Sequence, residues 1–265
     1  MYCQSGIQNV EASFPGNSKL QMNIIQETCR AVQDISMDSA GPLFSSTIQS
    51  IVEEELGTKD PYRKVKHDSI RKIHRFIPYL EIILKSANDK LDIAANPGFS
   101  IKQEVNRITA NKKDGNALQS LREDLNRSVT VLYIGDDYEG VLFDKILLGQ
   151  LKSKRLVFGV RSYPILNEVT LQDAQNLGID KVCEVMESGS RIARTDLTQR
   201  IKEFLYMFHD ADVVIAKGQG NFETLMDVDR PIYLLFKVKC ESIARRCGHP
   251  TGTSILYLNE KCEKN

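Results

Sequence analysis

The chain has 265 residues, 42% hydrophobic and 26% charged. That is the composition of one large globular domain or two small ones, not of a disordered chain. Thirty-five basic residues balance thirty-five acidic ones, which argues against a nucleic-acid coat, a polybasic membrane binder or an acidic tail protein.

No stretch reaches the roughly 18 to 20 apolar residues of a membrane span. The opening MYCQSGIQNVEASF lacks the basic-then-apolar order of a signal peptide. The cysteines are Cys3, Cys29, Cys183, Cys240, Cys247 and Cys262, and none forms a C-x-x-C pair. They are expected as reduced thiols of a cytoplasmic protein, with Cys29 and Cys183 as small core hydrophobes. Cys247 and His249 alone are too few ligands for a metal site.

In chain order, Leu20, Ile24, Ile25, Cys29, Val32 and Ile35 follow the helical period, and Leu43, Phe44, Ile48, Ile51, Val52 and Leu56 repeat it. Gly57 suits a helix C-terminus. Asp60 and Pro61 predict the N-cap and first position of a third helix, which Pro78 breaks before Tyr79 to Lys85 continue. Asn96-Pro97-Gly98 reads as a turn. Residues 110–127 read as a polar, mobile connection holding a short helix from Leu118 to Leu125.

The pattern changes near residue 128. Short apolar runs begin at Val129, Leu156, Val182, Asp212, Ile232 and Ser254, each a strand buried on both faces. Amphipathic segments at 141–151, 170–178, 196–209, 221–226 and 240–247 separate them. The expected fold class is α/β: a helical region over 1–127, then a doubly wound, mostly parallel sheet of about six strands over 128–265, packed as one unit.

In such sheets ligands bind beyond the carboxyl ends of the strands. The first strand ends in Asp136, Asp137, Tyr138, Glu139 and Gly140. Three carboxylates so close repel one another, so the segment is either a cation site or a solvated turn in which Asp137 caps the next helix. The second strand ends in Arg161, whose planar fork suits a phosphate or carboxylate. Asn167 and Glu168 follow, where Glu168 is placed to reach the crevice. Thr170 and Asp173 form a capping box. The strand from Asp212 runs into Lys217, Gly218, Gln219, Gly220 and Asn221. A lysine, two glycines and a helix start make an anion site or, alternatively, a tight turn that needs its glycines.

Four stretches resemble the damage-control phosphatase family, long called domain of unknown function 89, in its archaeal and bacterial branch. Gly57 to Tyr62 with Lys66 is similar to G-x-x-D-P-Y-x-x-x-K, and Asp136 to Asp144 to D-N-A-G-E-x-x-F-D. Arg161 to Thr170 is similar to R-G-x-P-I-x-N-D-x-T, and Lys217 to Leu225 to K-G-Q-x-N-[YF]-E-[ST]-L. Lys239-Cys240 fits the family's late K-C pair. The family's metal-site Asn is Asp137 here and its second Asp is Glu168. The family's G-N-x-x-D-F-G stretch is replaced by a shorter segment around Asn96.

The resemblance implies metal-dependent hydrolysis of small phosphate monoesters such as sugar phosphates, with Mn²⁺, Ni²⁺, Co²⁺ or Mg²⁺ as cofactor. It places the metal on Asp136, Asp137 and Glu168 and the phosphate on Lys217, Gly218, Gly220 and Asn221. Asp137, Lys217 and Arg161 are then the catalytic candidates, with Asn96, Asn167 and Glu139 lining the pocket. Asp137 is open to either role, ligand or nucleophile and base. The partner expected is a small phosphorylated metabolite, not nucleic acid or membrane. A non-catalytic binder of metal and phosphate is the alternative. Carboxyl methyl transfer ranks last, because no methyl-donor fingerprint is present.

Overall fold

The structure, a computed structural model, describes residues 16–33, 40–74, 115–198 and 201–259. The predicted break at Pro78, the turn at Asn96 and the polar run before Gly115 lie outside the described residues, as do Cys3 and Cys262.

Helices α1 (Ser18–Val32), α2 (Ala40–Leu56) and α3 (Arg63–His74) come first, then α4 (Gly115–Arg127). Strands and helices alternate after that: β1 (Thr130–Ile134), α5 (Val141–Gln150), β2 (Arg155–Val160), α6 (Leu171–Asn176), β3 (Glu184–Glu187), α7 (Lys202–Asp210) and β4 (Val213–Lys217). The chain closes with α8 (Gln219–Leu225), β5 (Ile232–Lys237), α9 (Glu241–Cys247) and β6 (Ser254–Asn259). Among the described residues no helix is long and apolar enough to cross a membrane.

The six strands form one sheet in the order β3-β2-β1-β4-β5-β6, parallel except for the last pair. Alternation along β1 explains the layers. Val131 and Tyr133 point into a core shared with α4, α5 and α6, built on Leu121, Leu125, Leu147, Leu148 and Ala174. Leu132 and Ile134 point into the opposite core with Phe204, Phe208, Phe222, Leu225 and Ile243 of α7, α8 and α9. Each Val, Leu or Ile fully buried in this way contributes roughly 1.5 to 3 kcal/mol. The chain runs outward from β1 to β3 and then returns to β4 on the other side of β1. The order therefore reverses between β1 and β4, and the crevice at their carboxyl ends is where open α/β sheets take ligands.

The helical region leans on that same end. α1 and α2 pair through Ile24, Ile48 and Val52. From α2, Gln49 accepts the Leu166 N–H at 3.0 Å and Glu53 accepts the Tyr163 hydroxyl at 2.8 Å. From α3, Ile70 packs on Tyr138 and Leu142, and the buried Lys66 ammonium meets Asp173 at 2.9 Å.

Several expectations need correction. α3 starts at Arg63, two residues past Pro61: its first helical bond runs from the Lys66 N–H to the Tyr62 carbonyl at 2.9 Å, while the Asp60 carboxylate takes a backbone bond from Tyr62 and faces Lys66. α4 is longer than the predicted Leu118–Leu125 helix. β3 begins at Glu184 because the Val182 and Cys183 N–H groups donate to the Ile179 carbonyl at 2.8 and 3.0 Å, completing the turn after α6. As an edge strand β3 is only partly covered, not buried on both faces. α7 begins at Lys202 rather than 196: Asp196 takes the Thr198 N–H and hydroxyl at 2.9 and 2.7 Å, a local turn that competes with helix. Cys29 is exposed, not a core residue.

Candidate active site

The loop after β1 and the loop after β2 zip together. The Val169 N–H donates to the Asp136 carbonyl at 2.9 Å and the Tyr138 N–H to the Asn167 carbonyl at 2.7 Å, so Asp137 and Glu168 form an isolated antiparallel bridge. Leu166 sits at φ +48, in the left-handed region that side chains disfavour. The Gln49 side chain and a turn bond from the Glu168 N–H to the Ile165 carbonyl at 3.0 Å hold it there. That bend delivers Asn167 and Glu168 to the end of β1.

Three carboxylates thus gather at one edge of the crevice, and each is treated differently. Asp137 accepts the Gly140 N–H through Oδ1 at 2.6 Å, so it closes the turn leading into α5 and is not itself the N-cap of that helix, which is Gly140. Glu168 is buried and hydrogen-bonded to Nε of Arg161. Asp136 receives no hydrogen bond from any described residue. Burial, then the charges of Asp137 and Glu168, push its carboxyl up to about 7, against the pull of Lys239 and Arg161.

Across the crevice, the Asp136 carboxylate lies flat against Gly218. A Cβ on Gly218 would stand 2.1 Å from that carboxyl group, and Gly218 has φ +92. Only glycine fits both demands. Gly218 heads α8, and among the described residues nothing accepts from the backbone N–H groups of Gln219, Gly220 and Asn221 that follow.

Lys217 and Asn221 are more deeply built in than the sequence suggested. The Lys217 ammonium donates to Asp144 Oδ1 at 2.6 Å and to the Gly140 carbonyl at 3.1 Å, and Asp144 also accepts the Tyr133 hydroxyl at 2.7 Å. Burial alone would lower the Lys217 pKa, but Asp144 and then Asp137 outweigh it, so the group stays charged with its pKa raised. Asn221 is fully buried: its carbonyl accepts from Arg161 and from the Thr195 N–H, and its amide donates to the Lys217 and Gly135 carbonyls. Arg161 is also fully buried. Glu139 and Asn167 lie half-buried beside the acidic loop, and Asn96 lies outside the described residues.

Two residues at the site escaped the sequence reading. Asp144, quoted only as part of a motif, anchors Lys217. Its signal is a carboxylate in the first turn of the helix that follows the acidic loop. Lys239 is exposed at the carboxyl end of β5, and its charge reaches Asp136. A lysine just past a strand next to the switch point was the available cue.

The donor set suits a hard divalent cation. Asp136 and Asp137 are adjacent carboxylate oxygen donors, and the charge crowding on Asp136 is what a cation would relieve. Among the described residues no three His, Cys, Asp or Glu side chains close to metal-binding geometry. Glu168 has one oxygen on Arg161 and Asp137 has one on the Gly140 N–H, whereas Asp136 accepts no bond.

Known proteins place this arrangement. Residues 3–255 match the damage-control phosphatase ARMT1-like domain. The chain belongs to that family. A damage-control phosphatase of Pyrococcus horikoshii is 31% identical over 224 residues, covering 82% of this chain and 77% of the relative. A damage-control phosphatase of Archaeoglobus fulgidus is 26% identical over 236 residues, 82% of each chain. An uncharacterized protein of Methanocaldococcus jannaschii is 29% identical over 261 residues, 89% of this chain and 86% of the relative. A crystal structure of a DUF89 family protein from Pyrococcus horikoshii superposes with a TM-score of 0.82 at 24% identity, over 98% of this chain and 96% of the other. The α/β frame is thus the frame of the damage-control phosphatase family, and the crevice between β1 and β4 lies within the matched region.

Proposed function

We propose that the protein is a divalent-cation-dependent phosphatase that hydrolyses phosphate monoesters of small metabolites such as sugar phosphates. The observation that carries this reading is the Asp136 carboxylate: crowded by Asp137 and Glu168, unbonded, and pressed against the glycine turn at the switch point. Two relatives named damage-control phosphatases support it.

Asp136 and Asp137 would hold the cation, with Mn²⁺, Ni²⁺, Co²⁺ or Mg²⁺ as candidates. Bound there, it would polarise the phosphoryl group and activate a water. The chain's own residues supply the rest. The backbone N–H groups of Gln219, Gly220 and Asn221 aim at the same crevice and suit phosphoryl oxygens. Lys217, fixed by Asp144 beside Asp137, contributes a positive field without leaving its partner. Lys239, exposed and within electrostatic reach of Asp136, is the cation placed to touch an incoming phosphate.

Phosphate release from a panel of sugar phosphates, with each cation and with chelator, tests the reading. Cation-dependent release that chelator abolishes is the expected result. A metal-loaded protein that binds phosphate and releases none from any ester would make it a binding protein instead.

A further inference from the structure

Arg161 is the largest fully buried side chain among the described residues and follows directly on the carboxyl end of β2, yet its guanidinium faces no open space. Each nitrogen has an acceptor on a different segment. Nε donates to Glu168 after β2, one terminal nitrogen to the Thr195 hydroxyl in the β3–α7 loop at 3.1 Å, and the other to Asn221 of α8 at 3.2 Å. Its own N–H donates to the Val169 carbonyl at 2.9 Å. The β3–α7 loop is pinned down around it as well. Arg194 pairs with Glu223 at 2.7 Å, the Thr195 N–H donates to Asn221 at 2.9 Å, and the Ser162 N–H donates to the Ser190 carbonyl at 3.3 Å.

A planar fork with fixed donors is the side chain that can join three acceptors at set angles; an ammonium cannot. A buried ion pair is no better for stability than an apolar pair of the same shape, so stability alone does not account for it. We propose that Arg161 is a positioning residue: it locks Glu168 beside Asp136 and Asp137 and ties β2, the β3–α7 loop and α8 together, without touching the phosphate. This rests on the phosphatase reading above. It replaces the direct phosphate contact expected from the sequence.

Removing the guanidinium frees Glu168 to swing into the space in front of Asp136. Asn221 keeps its bonds to Thr195, Lys217 and Gly135, so the glycine turn stays in place. Geometry at the acidic edge should suffer while anion binding should not.

The test uses the full chain carrying Arg161→Met, Arg161→Lys, Glu168→Gln and the Arg161→Met/Glu168→Gln pair. Steady-state kinetics on a phosphomonoester with Mn²⁺ is one readout, and calorimetric affinity for inorganic phosphate with Mn²⁺ is the other. For both Arg161 variants we expect kcat about a hundredfold lower, the scale of a small misplacement. KM and phosphate affinity should stay within threefold of wild type. The double variant should be no slower than the slower single, because the two residues act as one unit. Arg161→Lys should fail to rescue, and it keeps the test alive if Arg161→Met does not fold. A tenfold loss of phosphate affinity in Arg161→Met, or recovery of kcat by Arg161→Lys, would overturn the proposal, since a lysine can bind phosphate as a point charge. A wild type that binds phosphate but turns nothing over defeats the phosphatase reading alone, and phosphate affinity then judges Arg161. A wild type that neither binds nor turns over defeats both.

Discussion

Two loops face each other across the reversal in strand order, and they are built on opposite terms. The charged and amide side chains after β4 are satisfied by the protein, which leaves only the Gln219–Asn221 N–H groups open: Lys217 is held by Asp144 and Gly140, Asn221 by four hydrogen bonds, and the Gly218 N–H by the Leu235 carbonyl at 2.8 Å. The segment after β1 is not. Asp136 carries a carboxylate that no described residue bonds and that its neighbours repel. On the reading proposed above, the phosphate side would be preorganised by protein alone, whereas the acidic side would be completed by a bound cation. That asymmetry is what a cation-assisted phosphatase site requires: rigid donors for the phosphate and an unfilled demand for positive charge.

The sharpest way to break the contrast is to remove the demand. Asp136→Asn takes away the unbonded charge and should cost roughly a thousandfold in kcat, the upper end of what one lost hydrogen-bond donor costs. Asp137→Asn keeps an oxygen ligand and relieves the crowding, so its cost should stay below about tenfold; kinetics of the two side by side reads the difference. A loss at Asp137 as deep as at Asp136 would assign Asp137 the nucleophile or base role.

Gly218→Ala attacks the contact between the two loops. The added methyl would overlap the Asp136 carboxyl, and the positive φ opposes any side chain. Displacement of Asp136 by about an ångström should lower kcat about a hundredfold.

On the satisfied side, Asp144→Asn should act on folding first. It leaves the Lys217 ammonium, which is nearly buried, without its anion. Breaking such a pair costs about 3 to 5 kcal/mol, measurable by urea unfolding. A loss below about 1 kcal/mol would mean that Lys217 finds another anion.

The smallest effect is on pH. The Asp136 carboxyl is raised from its ordinary 3.8 to about 7, so the folded chain binds that proton more tightly than the unfolded chain does. Its contribution to stability is present below the ordinary value and is lost as pH rises through about 7. Mn²⁺ replaces the lost proton, so the rise in Tm on adding Mn²⁺ should be larger at about pH 8 than at about pH 5.5. An equal rise at both values would detach Asp136 from the cation.

The sheet was legible because strands buried on both faces leave continuous apolar runs, and five of the six start within one residue of expectation. β3 and the start of α7 were misplaced where local turn bonds at Ile179 and Asp196 compete with regular structure, a contest that apolar pattern does not record. Asp136, Asp137, Glu168 and Lys217 could be singled out from sequence because the strand-end rule needs only strand positions. What Lys217 and Arg161 do with their charge was not legible. Asp144 lies 73 residues from Lys217 and Asn221 lies 60 from Arg161, so those pairings depend on how α5 and α8 pack against the sheet. Lys239 was quoted only within the K-C pair and given no role for the same reason: nothing local shows that the end of β5 faces the end of β1.

The central claim is that the unbonded carboxylate at the end of β1 and the glycine turn at the end of β4 share one cation-and-phosphate site. Anomalous diffraction from crystals soaked in Mn²⁺ and inorganic phosphate tests it most directly. The account predicts a manganese peak about 2.0 to 2.6 Å from oxygens of Asp136 and Asp137, with phosphate bridging from it to the Gly218–Asn221 turn. Manganese bound away from Asp136, or phosphate settled elsewhere than that turn, would contradict it.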